Sequence, residues 1–132
     1  MILKVFTDGG SKGNPGPSSI GGVATIEGKK IFEFKKSIGI ATNNDAEYKA
    51  LIEALTNILK IKEEKQISKI EFFSDSRLMV NQVKGLFKVK NGRIKEYILT
   101  IRGLEQEINL PISYGYVPRE QNVEADLLVN SV

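Results

Sequence analysis

The chain contains no cysteine and no histidine among its 132 residues. Those absences remove disulfides, thiolate nucleophiles, zinc sites built on sulfur or imidazole, and hydrolytic triads that depend on histidine. Any metal must therefore sit on oxygen from Asp, Glu, Asn, Gln or backbone carbonyls, and such sites suit magnesium, manganese or calcium. Tryptophan is also absent. No stretch approaches the roughly 20 apolar residues of a membrane span, and the apolar run in MILKVFTDGG is too short for a secretory signal. A cytoplasmic protein with no membrane partner is expected. Repeats, low-complexity segments, linkers and oligomer signals are missing too, so the expectation is a monomer with one domain over residues 1–132.

What is present is a 41% hydrophobic chain, enough for a real core, with a formal net charge of +3. That mild basicity permits a polyanionic partner without demonstrating one. Ile2 to Thr7 reads as a strand, ended by the turn-rich DGGSKGNPGPSS. Gly21 to Ile26 and Lys30 to Ile38, joined at EGKK, read as an antiparallel pair. A helix is expected from about Asp45 to Lys62, then a strand over Ile70 to Ser74 and a short helix from Arg77 to about Lys84. Ile94, Tyr97, Ile98, Ile101, Leu104 and Ile108 recur at helical spacing, and Pro111 closes that helix. A strand from Ile112 and a final helix capped by Asn122 complete the chain. The order β-β-β-α-β-α-α-β-α defines an α/β fold: a five-stranded mixed sheet with helices on both faces.

Four carboxylates occupy comparable places in this plan. Asp8 and Asp75 end the first and fourth strands, while Glu47 and Asp126 stand in the first turns of the first and last helices. Each has an ordinary reading. Asp8 suits an Asx-turn, Asp75 can cap the helix near Ser76, and Asp126 complements a helix dipole. Glu47 fits a capping box three residues after an N-cap at Asn44. Together they mean more, because ligands in open α/β sheets gather at the carboxyl ends of strands. All four cluster there if the first and fourth strands are parallel neighbours. Carboxylates that close repel by about 1 kcal/mol per pair in water and several-fold more at lower dielectric. Bound cations relieve that repulsion, and two divalent ions about 3.5–4 Å apart are a common device for cutting phosphodiesters.

FTDGGSKGNPGPSSIGG with Asp8, TNNDAEYKAL with Glu47, FFSDSRLMVNQVKG with Asp75 and YVPREQNVEAD with Asp126 follow one another along the whole chain. In that order and spacing they resemble type 1 ribonuclease H, which hydrolyses the RNA strand of RNA-DNA hybrids. The resemblance implies a ribonuclease H-like fold and a metal-dependent endonuclease that leaves 5′-phosphate and 3′-hydroxyl ends. It further implies that Asp8, Glu47, Asp75 and Asp126 ligate two magnesium ions, or manganese in their place. One ion would activate the attacking water and the other stabilise the leaving 3′-oxygen.

DGGSKGNPGP lacks the Gly-Lys-Ser/Thr ending of a P-loop and the spacing of a dinucleotide-binding loop. By resemblance, Gly9, Gly10, Ser11 and Asn14 line the minor groove of the hybrid, where 2′-hydroxyls distinguish RNA from DNA. Thr42, Asn43 and Asn44 would touch the DNA strand, and Ser76 and Arg77 the RNA sugars. The run VKGLFKVKNGRIKEY holds Lys84, Lys88, Lys90, Arg93 and Lys95 and is either a solvated face or a phosphate-binding patch, with Lys88 and Lys90 the candidate contacts. Some relatives carry a longer, tryptophan-containing basic protrusion there. Many also place a helper histidine in the loop before the last carboxylate, where this chain has Arg119, Glu120 and Gln121. Arg119 is the candidate replacement, stabilising charge without proton transfer; alternatively it pairs with Glu120 or Glu124 at the surface. Two rival readings remain open: a non-catalytic module that binds hybrids or double-stranded RNA, and another nuclease of the ribonuclease H-like superfamily.

Overall fold

In the computed structural model, which describes residues 1–132, the first strand is longer than its apolar stretch. β1 (Ile2–Ser11) buries Leu3 and Val5 on one face and continues through Asp8, Gly9 and Gly10. It pairs antiparallel with β2 (Gly16–Ile26) from Leu3↔Ile26 to Ser11↔Ser18. The glycine-rich stretch expected as one long turn is therefore mostly strand, because its backbone groups find ladder partners there. Only residues 12–15 turn, with Gly13 at φ 84°. β3 (Lys29–Ala41) follows across a tight turn in which Glu27 and Gly28 both take positive φ. That is the twist-compatible geometry of a two-residue hairpin.

β4 (Lys69–Ser74) lies parallel to β1, from Ile2↔Lys69 to Thr7↔Ser74, and β5 (Ile112–Tyr116) lies parallel to β4. The sheet is the five-stranded mixed sheet that the sequence pattern predicted, and its order, β3-β2-β1-β4-β5, puts β1 at the centre. The parallel pairing of β1 with β4 ends at Thr7↔Ser74, so Asp8 and Asp75 each follow the last residue of that pairing, while Asp8 stays paired with Gly21 of β2.

α1 (Asn43–Ile61) packs its stripe of Ala50, Leu51, Ala54, Leu55 and Ile58 against the sheet. Each fully buried leucine or isoleucine contributes about 1.5–3 kcal/mol. α2 (Arg77–Val83) and α3 (Gly92–Ile108) extend this layer, Met79, Val83, Ile94, Ile101 and Ile108 joining the same core cluster. α4 (Val123–Asn130) covers the opposite face, where a methyl on Gly21 would meet Leu128 at 2.9 Å. No helix is long and apolar enough to cross a membrane.

Three terminal assignments differ from the sequence reading. The N-cap of α1 is Thr42, not Asn44: Thr42 Oγ1 accepts from the Asp45 amide at 3.0 Å, and Asp45 Oδ2 accepts from the Thr42 amide at 3.1 Å. Asp45 thus takes the capping-box role assigned to Glu47, because β3 runs on to Ala41 and the helix starts earlier. α3 ends at Asn109 in the left-handed region (φ 55°), two residues before Pro111. Asn122 precedes α4 but makes no side-chain cap; its amide is engaged elsewhere.

Candidate active site

Freed from capping, Glu47 faces β1 across Gly9. A Cβ built on Gly9 would fall 2.4 Å from the Ala46 carbonyl carbon, so only glycine lets the first turns of α1 come this close to the strand. The close approach brings Glu47 to Asp8 and Asp75, and one carboxylate oxygen from each of the three lies within 4.8 Å of the others. Asp8 is 6% and Glu47 8% exposed. Asp126, from α4, stands outside that tight group yet close enough to act on Asp8 and Asp75. The four line one cleft of about 430 Å³, with Gly9, Gly10, Ser11, Asn43 and Arg119 also on its wall.

Charge crowding marks the cluster. Burial, then Asp75 and Asp126, push the Asp8 carboxyl up to about 7. Burial, then Asp8 and Asp75, drive Glu47 well above the ordinary glutamate range. Asp75 is also raised, by burial chiefly, with Arg119 opposing. Glu47 Oε1 is buried without a hydrogen-bond partner. A buried orphan acceptor facing two more carboxylates is the donor set a hard cation needs, so these residues fit divalent metal.

Of the other predicted residues, Ser11, Asn14 and Asn43 form one unit. Asn43 Oδ1 accepts from the Ser11 amide at 2.8 Å, and Asn14 Oδ1 accepts from the Asn43 amide at 3.0 Å. Asn44 sits in the first turn of α1, and Ser76 caps α2 through the Met79 amide. Arg77 stacks over the Tyr116 ring, 4.6 Å from its centroid. Arg119 is 77% exposed and lies 3.5 Å from Asp126; it pairs with neither glutamate, Glu124 facing Lys30 at 3.9 Å instead. Lys88 and Lys90 are exposed and stand apart from the cleft wall. Arg93, counted in the basic run, is taken up by Asp45, its Nε donating at 2.6 Å.

Sequence reasoning missed the roles of Asn122, Asn130 and Tyr116. Asn122 is 1% exposed and donates to the Thr7 carbonyl at 2.9 Å, joining the start of α4 to β1 beside Asp8. An asparagine just ahead of a helix carries the same signal whether it caps or anchors, so nothing in the sequence separated the two. Asn130 donates to Asp126 Oδ1 at 3.2 Å from one helical turn away, and Tyr116 lines the cleft.

A family model described as reverse transcriptase-like matches residues 6–132. The bifunctional protein Rv2228c of Mycobacterium tuberculosis is 36% identical over 132 residues, covering 98% of this chain and 35% of its own length. The chain thus spans about a third of the mycobacterial relatives it matches. Ribonuclease HI of Halobacterium salinarum is 35% identical over 129 residues, covering 97% of this chain and 62% of that protein. Among solved structures, LC11-RNase H1 in complex with RNA/DNA hybrid superposes with a TM-score of 0.92 at 39% identity, covering 98% of this chain and 95% of that one. The chain belongs to the reverse transcriptase-like family, and its likeness to the solved RNase H1 puts it in the type 1 ribonuclease H family.

Proposed function

We propose that residues 1–132 act as one cytoplasmic, monomeric ribonuclease H domain that cuts the RNA strand of RNA-DNA hybrids and leaves 5′-phosphate and 3′-hydroxyl ends. The observation that carries the reading is the cluster of Asp8, Glu47 and Asp75, with the Glu47 Oε1 atom buried and unpartnered. In this reading Asp8, Glu47, Asp75 and Asp126 hold two magnesium ions, with manganese an alternative. When bound, such ions supply the positive charge that favours attack by water and departure of the 3′-oxygen.

The chain's own groups do the rest. Asn14 and Asn43 spend their carbonyl oxygens on backbone amides, which leaves each Nδ2 as a donor. Donors suit the minor groove, whose base edges present acceptors beside the 2′-hydroxyls. Gly9, Gly10 and Ser11 let backbone approach that groove, Thr42 and Asn44 face the DNA strand, and Ser76 and Arg77 the RNA strand. The Tyr116 ring beneath Arg77 limits its freedom before substrate arrives. Lys88 and Lys90 attract phosphates outside the cleft, and Arg119 opposes the negative charge that develops at the scissile group.

Magnesium titration with labelled RNA-DNA, RNA-RNA and DNA-DNA duplexes tests the proposal. Cleavage of the RNA in the hybrid, and binding without cutting in calcium, are expected. Retention of hybrid without cleavage in magnesium would make the chain a binding module, and cutting of the RNA-RNA duplex would add double-stranded RNA to its substrates.

A further inference from the structure

The basic segment at residues 84–91 joins α2 to α3, and both of its flanks are tied to the first turns of α1. On the α2 side, Tyr48 Oη donates to Gln82 Oε1 at 2.8 Å, two residues before Lys84. On the α3 side, Arg93 Nε and Tyr97 Oη both donate to Asp45 Oδ1, at 2.6 and 3.2 Å. The Tyr48 and Tyr97 rings stack at 5.5 Å, so the two ties share a packed junction. Asp45 is 6% exposed, and Tyr48 is fully buried. Asp45 and Glu47 are two residues apart, about 200° around the helix, so one turn presents Glu47 to the cleft and Asp45 to α3.

We propose that Asp45 and Tyr48 are positioning residues for substrate, holding the lysines of segment 84–91 at a fixed offset from Glu47 so that both engage one hybrid in register. The inference rests on hybrid cleavage at the carboxylate cluster. A second contact held stiffly at the right distance binds at high effective concentration, whereas a loosened one loses that advantage without altering the chemistry. Capping alone requires only that Asp45 accept the Thr42 amide; Arg93 and Tyr97 add a link that capping does not need.

Asp45→Asn keeps an acceptor for the Thr42 amide and removes the charge that holds Arg93. Steady-state rates are measured on a long hybrid of about 18 base pairs and a short one of about 6, which reaches the cleft alone. KM for the long hybrid should rise roughly five- to twenty-fold while KM for the short one stays put and kcat on both holds within about twofold. Arg93→Gln, which leaves the capping box intact, should reproduce this, and the double variant should be no worse than either single one. Equal KM increases on both lengths, a fall in kcat on both, or additive effects in the double variant would overturn the proposal. If wild-type protein leaves hybrid uncut in magnesium, the functional reading fails by itself. The clamp is then judged from Kd for long and short hybrids in calcium, where loss of affinity confined to the long one supports it and equal loss or none rejects it.

Discussion

Asp45 and Glu47 stand two residues apart at the start of α1, and their carboxyls move in opposite directions. Burial, then Asp8 and Asp75, lift Glu47. Burial also works to raise Asp45, but the Arg93 guanidinium and the Thr42 backbone and hydroxyl outweigh it and hold Asp45 below its usual value. Within a single helical turn, a carboxylate satisfied by protein therefore stands beside one with a buried oxygen left unpartnered.

The raised carboxyls tie metal-free stability to pH. Asp8, at about 7 when folded, binds protons more tightly than in the unfolded chain, and Glu47 does the same. Their stabilising contribution is complete below the unfolded value of about 4 and is lost as pH rises through the folded one. Asp45 has the opposite sign, so its contribution falls away only below its unfolded value. Melting in EDTA should be higher at pH 5 than at pH 8 by about 4 °C or more, and magnesium at pH 8 should recover the difference. Identical EDTA melts at the two pH values would contradict this.

Asp75→Asn is expected to abolish cleavage in magnesium. The amide is close in size to the carboxylate but brings no charge to the cluster, so circular dichroism should be unchanged and the metal-free melting point equal or higher. Full turnover by this variant would remove Asp75 from the site.

Gly9→Ala forces a methyl into the Ala46 backbone at 2.4 Å, while Gly10→Ala meets only Val129 Cγ1 at 3.8 Å. Backbone cannot yield cheaply, so the first change should cost about 1–3 kcal/mol and the second close to nothing. Because α1 must shift away with Glu47, Gly9→Ala should also lose at least about tenfold in turnover. Urea melts and single-turnover rates on both variants provide the comparison.

Replacing Lys88 and Lys90 by Gln should weaken binding to any duplex and flatten the salt dependence by up to about one counterion per lost phosphate contact. Turnover at saturating hybrid should change little. An unaltered affinity and slope would mark the segment as a solvated face.

Arg119→Ala should lower turnover by roughly ten- to a thousand-fold, the scale of losing one charge-stabilising donor, with metal affinity nearly unchanged. An exposed pair with Asp126 at 3.5 Å contributes about 0–1 kcal/mol to stability, so melting should barely respond. Wild-type turnover in this variant would leave Arg119 as a surface residue.

Much of the fold was legible because its signals are local. Alternation marked the strands, three-and-four spacing marked α1 and α3, and parallel β1 and β4 placed Asp8 beside Asp75 as the pattern required. The sequence misled where two local signals compete for one role. Asn44 and Glu47 offer a capping box as good as Thr42 and Asp45, and only the extension of β3 to Ala41 decides between them. Glycine-rich residues 8–11 read as a turn, yet their hydrogen bonds go to β2, a partner that local composition does not reveal. Asn122 was beyond reach for a related reason, since its partner is a carbonyl 115 residues away.

The Asn122 contact also orders events during synthesis. The ribosome makes β1 and Asp8 early and α4 with Asp126 more than a hundred residues later, so the side chain that fastens these elements arrives after the rest of the sheet. Chain elongation at about 5–20 residues per second makes that interval at least several seconds. Once Asp75 has been made, part-way through that interval, Asp8, Glu47 and Asp75 still wait for their fourth carboxylate. The cleft is therefore closed by the last-made of its four carboxylates, however early the other three reach their places.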